Sequence, residues 1–461
     1  MTTLERVYAC LEPIKHNPCL QGRSATAAAA TLFNSDTDKL KIVIAIGRTL
    51  DTGGKDDQAQ RLFQSTTGSV EGLLWNSNGI SGIQLLVLAA LYHYHLDEEV
   101  RTGRIIGFAA RLCLEMGLHR RLTIDKTFPN TNDRLIALEA FCSVYMLERR
   151  TGLGQGIPYT IQDSYIDPAL FAMDDANPML GHLLKWTRLA GKTWQVLNSN
   201  GENGVETEVE NLDYLDFMIK KWYHELPDNL KLDVVQLARP DPQQSSTYHQ
   251  AVFLLRQDHL RNLIFRPVLQ SASHITQHER HASSAVEIAQ NSITALSALH
   301  KHTHLVTSHP LFFKHLLLTA FVNLLLSVVH ACRVFWPVVR EEFDSALDLI
   351  EQLSGQSAPM MRLWQRVCGL RELPRRLDQM PRFDECGLND SELGLNPEFV
   401  LSLEEFFPGL STKFSLPMLD LAQLVEYNSD AAGPGSGSGP PLDPSIIGNH
   451  FSLPLMDYQF S

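Results

Sequence analysis

Three histidines, His274, His278 and His281, lie in the stretch HITQHERH. Spacings of four and three residues put imidazoles on one helix face, where they can hold zinc. His300, His302, His304, His309 and His315 follow nearby. No carboxylate stands at a fixed offset to orient the rings. Ser271, Ser273, Gln277 and Arg280 make the stretch read as an exposed, mobile loop. A solvated polar segment is therefore the default reading, and no metal is assigned. GLGQG (152–156) has the glycine density of a phosphate loop. A helical pattern precedes it and Ile157-Pro158 follows, whereas a nucleotide fingerprint needs a strand before and a helix after. Asp174-Asp175 lacks the second acidic motif that a magnesium–diphosphate site recruits, and reads as a loop pair. Gly-x-Ser-x-Gly and His-Glu-x-x-His are absent from the sequence. These residues imply no catalytic centre and no cofactor.

The seven cysteines form no CxxC pair and fall mostly inside apolar stretches. That pattern predicts reduced, buried thiols rather than disulfides or a cysteine zinc site.

The elements that would position any site are helical. Ser81–Glu98 is apolar nearly all round, as in a helix inside a large core. In RTGRIIGFAARLCLEMGLHRR, Ile105, Ala109, Leu112 and Met116 share one face, with Arg104, Arg111 and Glu115 opposite. Gly117 is placed to cap that helix in a left-handed conformation, with His119 and Arg120 facing its negative end. Further helices are predicted over 39–50, 57–65, 133–151, 179–198, 206–226, 246–268, 282–300, 310–338, 341–353 and 358–377. Leu316–Val329 is apolar but interrupted by an Asn and short for a bilayer span, which suits a core helix rather than a membrane. The N-terminal stretch carries Glu5 and Glu12 and does not read as a secretory signal.

The expected fold is all-α. A poorly ordered leader (1–38) precedes a single large multi-helix regulatory domain (39–381), and a disordered acidic tail (382–461) follows. The tail has 12 acidic against 2 basic residues, a net of −10, which leaves only −3 of the chain's −13 to the first 381 residues. No segment has the basic excess that phosphate neutralisation requires, so direct DNA binding by this chain alone is not expected. Acids interleave with Phe406 and Phe407 in SLEEFFPGL, while Leu421, Leu424 and Val425 share a helical face in DLAQLVEY with Tyr427 at its edge. Such a segment can fold into a coactivator groove, or else pack back on the body as a last helix.

AARLCLEMGLHRR, ending in Gly117, Leu118, His119 and Arg120, resembles a motif of the fungal transcription factor domain, the middle homology region of zinc-cluster regulators. LEAFCSVYMLERRTGLGQGIP is similar to that family's helix ending in a Gly-x-Pro turn, here Gly156-Ile157-Pro158. WYHELPDNLKL (222–232) and LRNLIFRPVL (260–269) are similar to its later stretches, so the resemblance covers about Lys39 to Leu377. Phe141 and Cys142 replace the family's usual Phe-Trp segment, Glu148 its usual Asp, and Ile157 its usual Arg. The six-cysteine cluster is not in the sequence; Cys10 and Cys19 alone lie upstream. The resemblance implies a nuclear transcription regulator and not an enzyme. It would reach DNA through a partner, as a homodimer or as a heterodimer with a DNA-binding regulator, and would recruit coactivators through the tail. The alternatives are a helical enzyme of secondary metabolism and a non-catalytic helical scaffold.

Overall fold

The computed structural model describes residues 35–52, 56–171, 178–198, 209–232, 244–303, 305–308, 310–355 and 358–372. The elements among these residues are α-helices and short 3-10 turns. The described helices form two compact units. One takes the described residues as far as Gly152 and Pro158–Gly181; the other takes Leu153–Ile157 and the described residues from His182 onward.

In the first unit, α1 (Ser35–Asp51) starts inside the expected leader and buries Ile42, Ala45, Ile46 and Thr49. It packs against α2 (Asp57–Gln64) and α4 (Gly79–Tyr94); α3 (Thr67–Gly72) lies between these two in sequence. Asp56 caps α2 by accepting from the Ala59 N–H at 2.7 Å, while Arg48 forks onto the same carboxylate at 2.9 and 3.0 Å. The Arg48 bonds, more than the helix N–H groups, hold Asp56 down to about 2. As its all-round apolar sequence predicts, α4 is buried on most sides, with Phe63 of α2 stacked on Tyr92 at 4.2 Å. It packs against α5 (Glu99–Glu115). The buried face of α5 is centred on Ile106, Ala109, Ala110 and Cys113, one position round from the predicted stripe, and leaves Ile105 and Met116 half-buried. Arg111 and Glu115 pair at 2.8 Å on the exposed side. After α6 (Arg121–Thr127), α7 (Thr131–Gln155) runs four residues beyond the expected stop.

The second unit contains α8 (Pro178–Asn198) from His182 onward, α9 (Val209–His224), α10 (Gln244–Phe265), α11 (Ala272–Gln277), α12 (Glu279–His302), α13 (Leu305–Ser308), α14 (Pro310–Ser354) and α15 (Ala358–Val367). Its central helix, α14, packs against α10, α12 and α15. Phe312–Ser354 is long and apolar enough to cross a membrane, but its apolar window is 94% buried inside the protein, as a core helix would be. The predicted break between Val338 and Glu341 is not observed. The helical run is instead interrupted at Ala331 (φ −149°, ψ 54°), six residues before Pro337.

The Asn that interrupts the apolar run is Asn323. Its amide donates to the Asn262 carbonyl (2.8 Å) and side-chain Oδ1 (3.1 Å), and its own Oδ1 accepts from Arg266 Nε at 3.1 Å. Arg266 also donates to the Thr319 carbonyl at 3.2 Å, while Asn262 donates to Ser292 Oγ at 3.0 Å. A buried polar chain thus ties α10, α12 and α14, which satisfies groups that would otherwise be stranded in an apolar core. Arg266 faces amide and carbonyl oxygens, and burial pulls it down to about 10.

Asp258 of α10 is also buried. Burial pushes its carboxyl up to about 6, against the opposing pull of Arg261 (3.8 Å) and Gln257 (3.4 Å), and the Tyr223 phenol shares its surroundings. Above its ordinary value near 4 the unfolded chain has lost this proton, whereas the folded chain keeps it until about pH 6. The folded state therefore loses stability as pH rises through that window. Asp258→Asn, which does not titrate, is expected to be more stable than the parent by about 2 kcal/mol at pH 7.5 and equal to it near pH 4. Urea unfolding at the two pH values checks this.

Candidate functional site

The Gly-Leu-His-Arg turn ends α5. Gly117 adopts φ +71°; its N–H bonds to the Leu114 carbonyl and that of Leu118 to the Cys113 carbonyl, each at 3.0 Å. This is the paired 6→1 and 5→2 pattern of a Schellman cap, closed by burial of Leu118. A Cβ at Gly117 would also lie 2.8 Å from Thr123 Cγ2. Gly117→Ala therefore meets both left-handed strain and a clash, and is expected to cost about 2 kcal/mol in thermal or denaturant unfolding.

The expected roles of His119 and Arg120 need correction. Neither side chain bonds the carbonyls at the end of α5 among the described residues. Arg120 is exposed and precedes α6, while His119 is buried and its ring is held below the ordinary histidine value, by burial first and by Arg120 second. A neutral ring does not complement the helix's negative end. The useful atom of His119 is its backbone carbonyl, which accepts from the Asp167 N–H at 3.0 Å.

Asp167 belongs to a strap, residues 158–171, that follows the second motif turn. Gly156 (φ +69°) ends α7, and Pro158 opens the strap. The strap is bound by two adjacent charged residues of α7. Glu148 accepts from the backbone N–H groups of Thr160 and Ile161. Arg149 donates to the Ile161 carbonyl at 2.7 Å and to Asp163 Oδ1 at 2.6 Å, and that same oxygen accepts from Tyr145 OH at 2.8 Å. The guanidinium lies 3.9 Å from the Tyr159 ring centroid and 4.9 Å from that of Tyr145.

Arg149 is 1% exposed. Burial, the largest influence, opposes its charge, but Tyr145 and Asp163 outweigh it and hold the pKa above the ordinary arginine value. Glu148 lies above the ordinary carboxylate value because burial exceeds the effect of its two N–H bonds and Arg149. Nearby thiols are in the protonated form: burial pushes Cys142 up to about 12 and raises Cys113 too. The arrangement is a clamp of opposite charges on backbone groups, suited to fixing the strap rather than to transferring protons or attacking a substrate.

The structure thus connects Gly117, Leu118 and His119 to Pro158 through the strap. Arg149, Tyr145, Tyr159 and Asp163 hold it, and sequence reasoning did not assign them. The available signal was an adjacent Glu-Arg pair directly after the apolar run Ala140–Leu147. GLGQG is the last turn of α7 and its end, not a loop between strand and helix.

His274 and His281 lie on different helices. Ser271 caps α11, its Oγ accepting from the His274 N–H at 3.1 Å, and His278 (φ −126°, ψ 45°) separates α11 from α12. The single helical face is therefore not formed, and the expected loop is helical. His281 Nε2 lies 3.0 Å from Asp213 Oδ1, and the His278 and His281 rings meet edge to face at 6.3 Å. Among the described residues no group of three or more His, Cys, Asp or Glu could hold a metal ion. Asp174, Asp175, His304 and His309 lie outside the described residues, as do Phe406, Phe407, Leu421, Leu424, Val425 and Tyr427.

Residues 75–181 match the fungal specific transcription factor domain. The match holds both motif turns and the strap that follows the second, and it ends at Gly181, where the first compact unit's described residues end. The stretches 222–232 and 260–269 fall outside it, so the domain match is narrower than the expected resemblance. A Saccharomyces cerevisiae protein bearing the name "Putative transcriptional regulatory protein" is 25% identical over 211 residues, covering 40% of this chain and 26% of that protein. The matched part of the chain thus spans about a quarter of that relative's length. No solved structure matches.

Proposed function

We propose that the chain is a transcription regulator of fungal type that acts in the nucleus. In this reading its helical body is a non-catalytic regulatory module and its acidic, aromatic tail recruits coactivators. The observation that carries it is the match of residues 75–181 to the fungal specific transcription factor domain, with the strap inside that stretch held by one buried clamp. The charge distribution supports the tail's part: −10 of the net −13 falls after Pro381, among 9 of the 38 aromatic residues. The nearly neutral remainder supports contact with DNA through a partner, a second copy or a DNA-binding regulator, rather than by the body's own surface.

A reporter assay tests this reading. The whole chain and Met1–Pro381 are each fused to a foreign DNA-binding domain. The whole chain is expected to activate transcription and the truncation to lose most of that activity. Equal activity from the two would remove the tail's role, and silence from both would favour a plain helical scaffold.

A further inference from the structure

Thr123 follows two arginines, in Arg120-Arg121-Leu122-Thr123, and its surroundings set it apart from other threonines near arginine. Thr49, Thr102 and Thr151 each directly follow an arginine, but all three are buried and donate to the carbonyl four residues back, at 2.9, 3.1 and 3.0 Å. Thr123 is half-buried, and its hydroxyl bonds no group among the described residues. The reason is local. The carbonyl four residues back is that of His119, which accepts from Asp167, and the Thr123 side chain lies against Gly117, its methyl nearer than its hydroxyl.

The segment is also easy to open. α6 has seven residues, is preceded by Arg120 at the N-cap position with no side-chain cap, and contains β-branched Thr123 and Ile124. Arg120 is exposed and has no ion-pair partner among the described residues, while Arg121 bonds Asp125 at 3.2 Å, a carboxylate that Arg134 also approaches at 3.6 Å. Two cations ahead of an unbonded hydroxyl suit an enzyme with an acidic recognition surface, and they can pair with the phosphate once it is attached.

We infer that Thr123 is a phosphorylation site for a basophilic serine/threonine kinase, with Arg120 and Arg121 as its recognition residues. The Thr123 oxygen attacks the γ-phosphorus of ATP, the new O–P bond replaces the bond to the β–γ bridging oxygen, ADP leaves, and the hydroxyl proton passes to the kinase's carboxylate. Arg120, Arg121 and Lys126 against Asp125 give the turn a formal charge of +2. A phosphate of about −2 cancels it, with Arg121 released from Asp125 to the phosphate while Arg134 stays beside that carboxylate.

The test incubates the folded full chain with ATP and the catalytic subunit of cyclic-AMP-dependent protein kinase, followed by peptide mapping. One phosphate on Thr123 is expected, retained in Thr123→Ser and lost in Thr123→Val. Arg120→Gln is expected to slow the initial rate about tenfold while leaving the melting curve unchanged. The inference is overturned if phosphate appears only on other residues, if Thr123 is modified only after heat unfolding, or if Arg120→Gln leaves the rate unchanged.

Discussion

Arg149→Met is expected to lower the stability of the chain by about 3 kcal/mol, because it removes one member of a buried, hydrogen-bonded charge pair. The methionine fills much of the space between Tyr145 and Tyr159, so the loss is mainly electrostatic. Asp163 loses its guanidinium partner and the Ile161 carbonyl its donor. Asp163 is partly exposed and recovers some hydration, which keeps the cost at the lower end for such pairs. Arg149→Lys retains charge but not the guanidinium's contact with the Tyr145 and Tyr159 rings, and is expected to recover less than half of the loss. Hydrogen exchange locates the effect: protection of the Thr160, Ile161 and Asp167 amides is expected to fall in Arg149→Met before that of α4. Unchanged protection of the strap would show that the clamp does not hold it.

Arg266 supplies the second large effect, with a different signature. It carries a charge into the core with no carboxylate partner among the described residues, and burial lowers its pKa accordingly. Arg266→Ala removes the side chain and strands Asn323 Oδ1, with an expected cost of about 4 kcal/mol from cavity and lost bonding together. Arg266→Met keeps the volume and removes the charge, and is expected to cost about 1–2 kcal/mol, the remaining price being the unbonded Asn323 oxygen. Asn323→Leu leaves both Arg266 Nε and the Asn262 oxygens without partners, so it belongs with the severe changes although leucine suits the apolar run. Denaturant unfolding that ranked methionine as badly as alanine would show that the charge itself stabilises the second unit.

These two residues also mark where sequence reading stops. The helices around them were readable because apolar spacing is a property of neighbouring residues. Both the continuous apolar character of α4 and the cap at Gly117 are written within one or two turns. Asn323 was visible as an interruption, but its partners Asn262 and Arg266 lie some sixty residues away, beyond any local pattern. Glu148 and Arg149 were visible as a charged pair, yet a charge on a helix is usually solvated, and only the strap's return makes them buried. The histidines failed in the opposite direction. Their spacing suggested one face, while Ser271 as a cap and the break at His278 divide the segment into two helices. The break that was expected between Val338 and Glu341 lies instead at Ala331.

Glu148 and Arg149 meet the strap with opposite signs, a carboxylate against N–H groups and a guanidinium against a carbonyl. That pairing works like a key with one orientation. If the strap slipped by a single residue, the Asp163 carboxylate would leave its place between Arg149 and Tyr145, so the clamp favours the observed register. Insertions between Gly156 and Thr160 can be absorbed in the turn, whereas an insertion between Thr160 and Asp163 cannot. An exchange of the two side chains, Glu148→Arg with Arg149→Glu, conserves composition and net charge. It would nevertheless be more damaging than the loss of either one, since every contact would become repulsive.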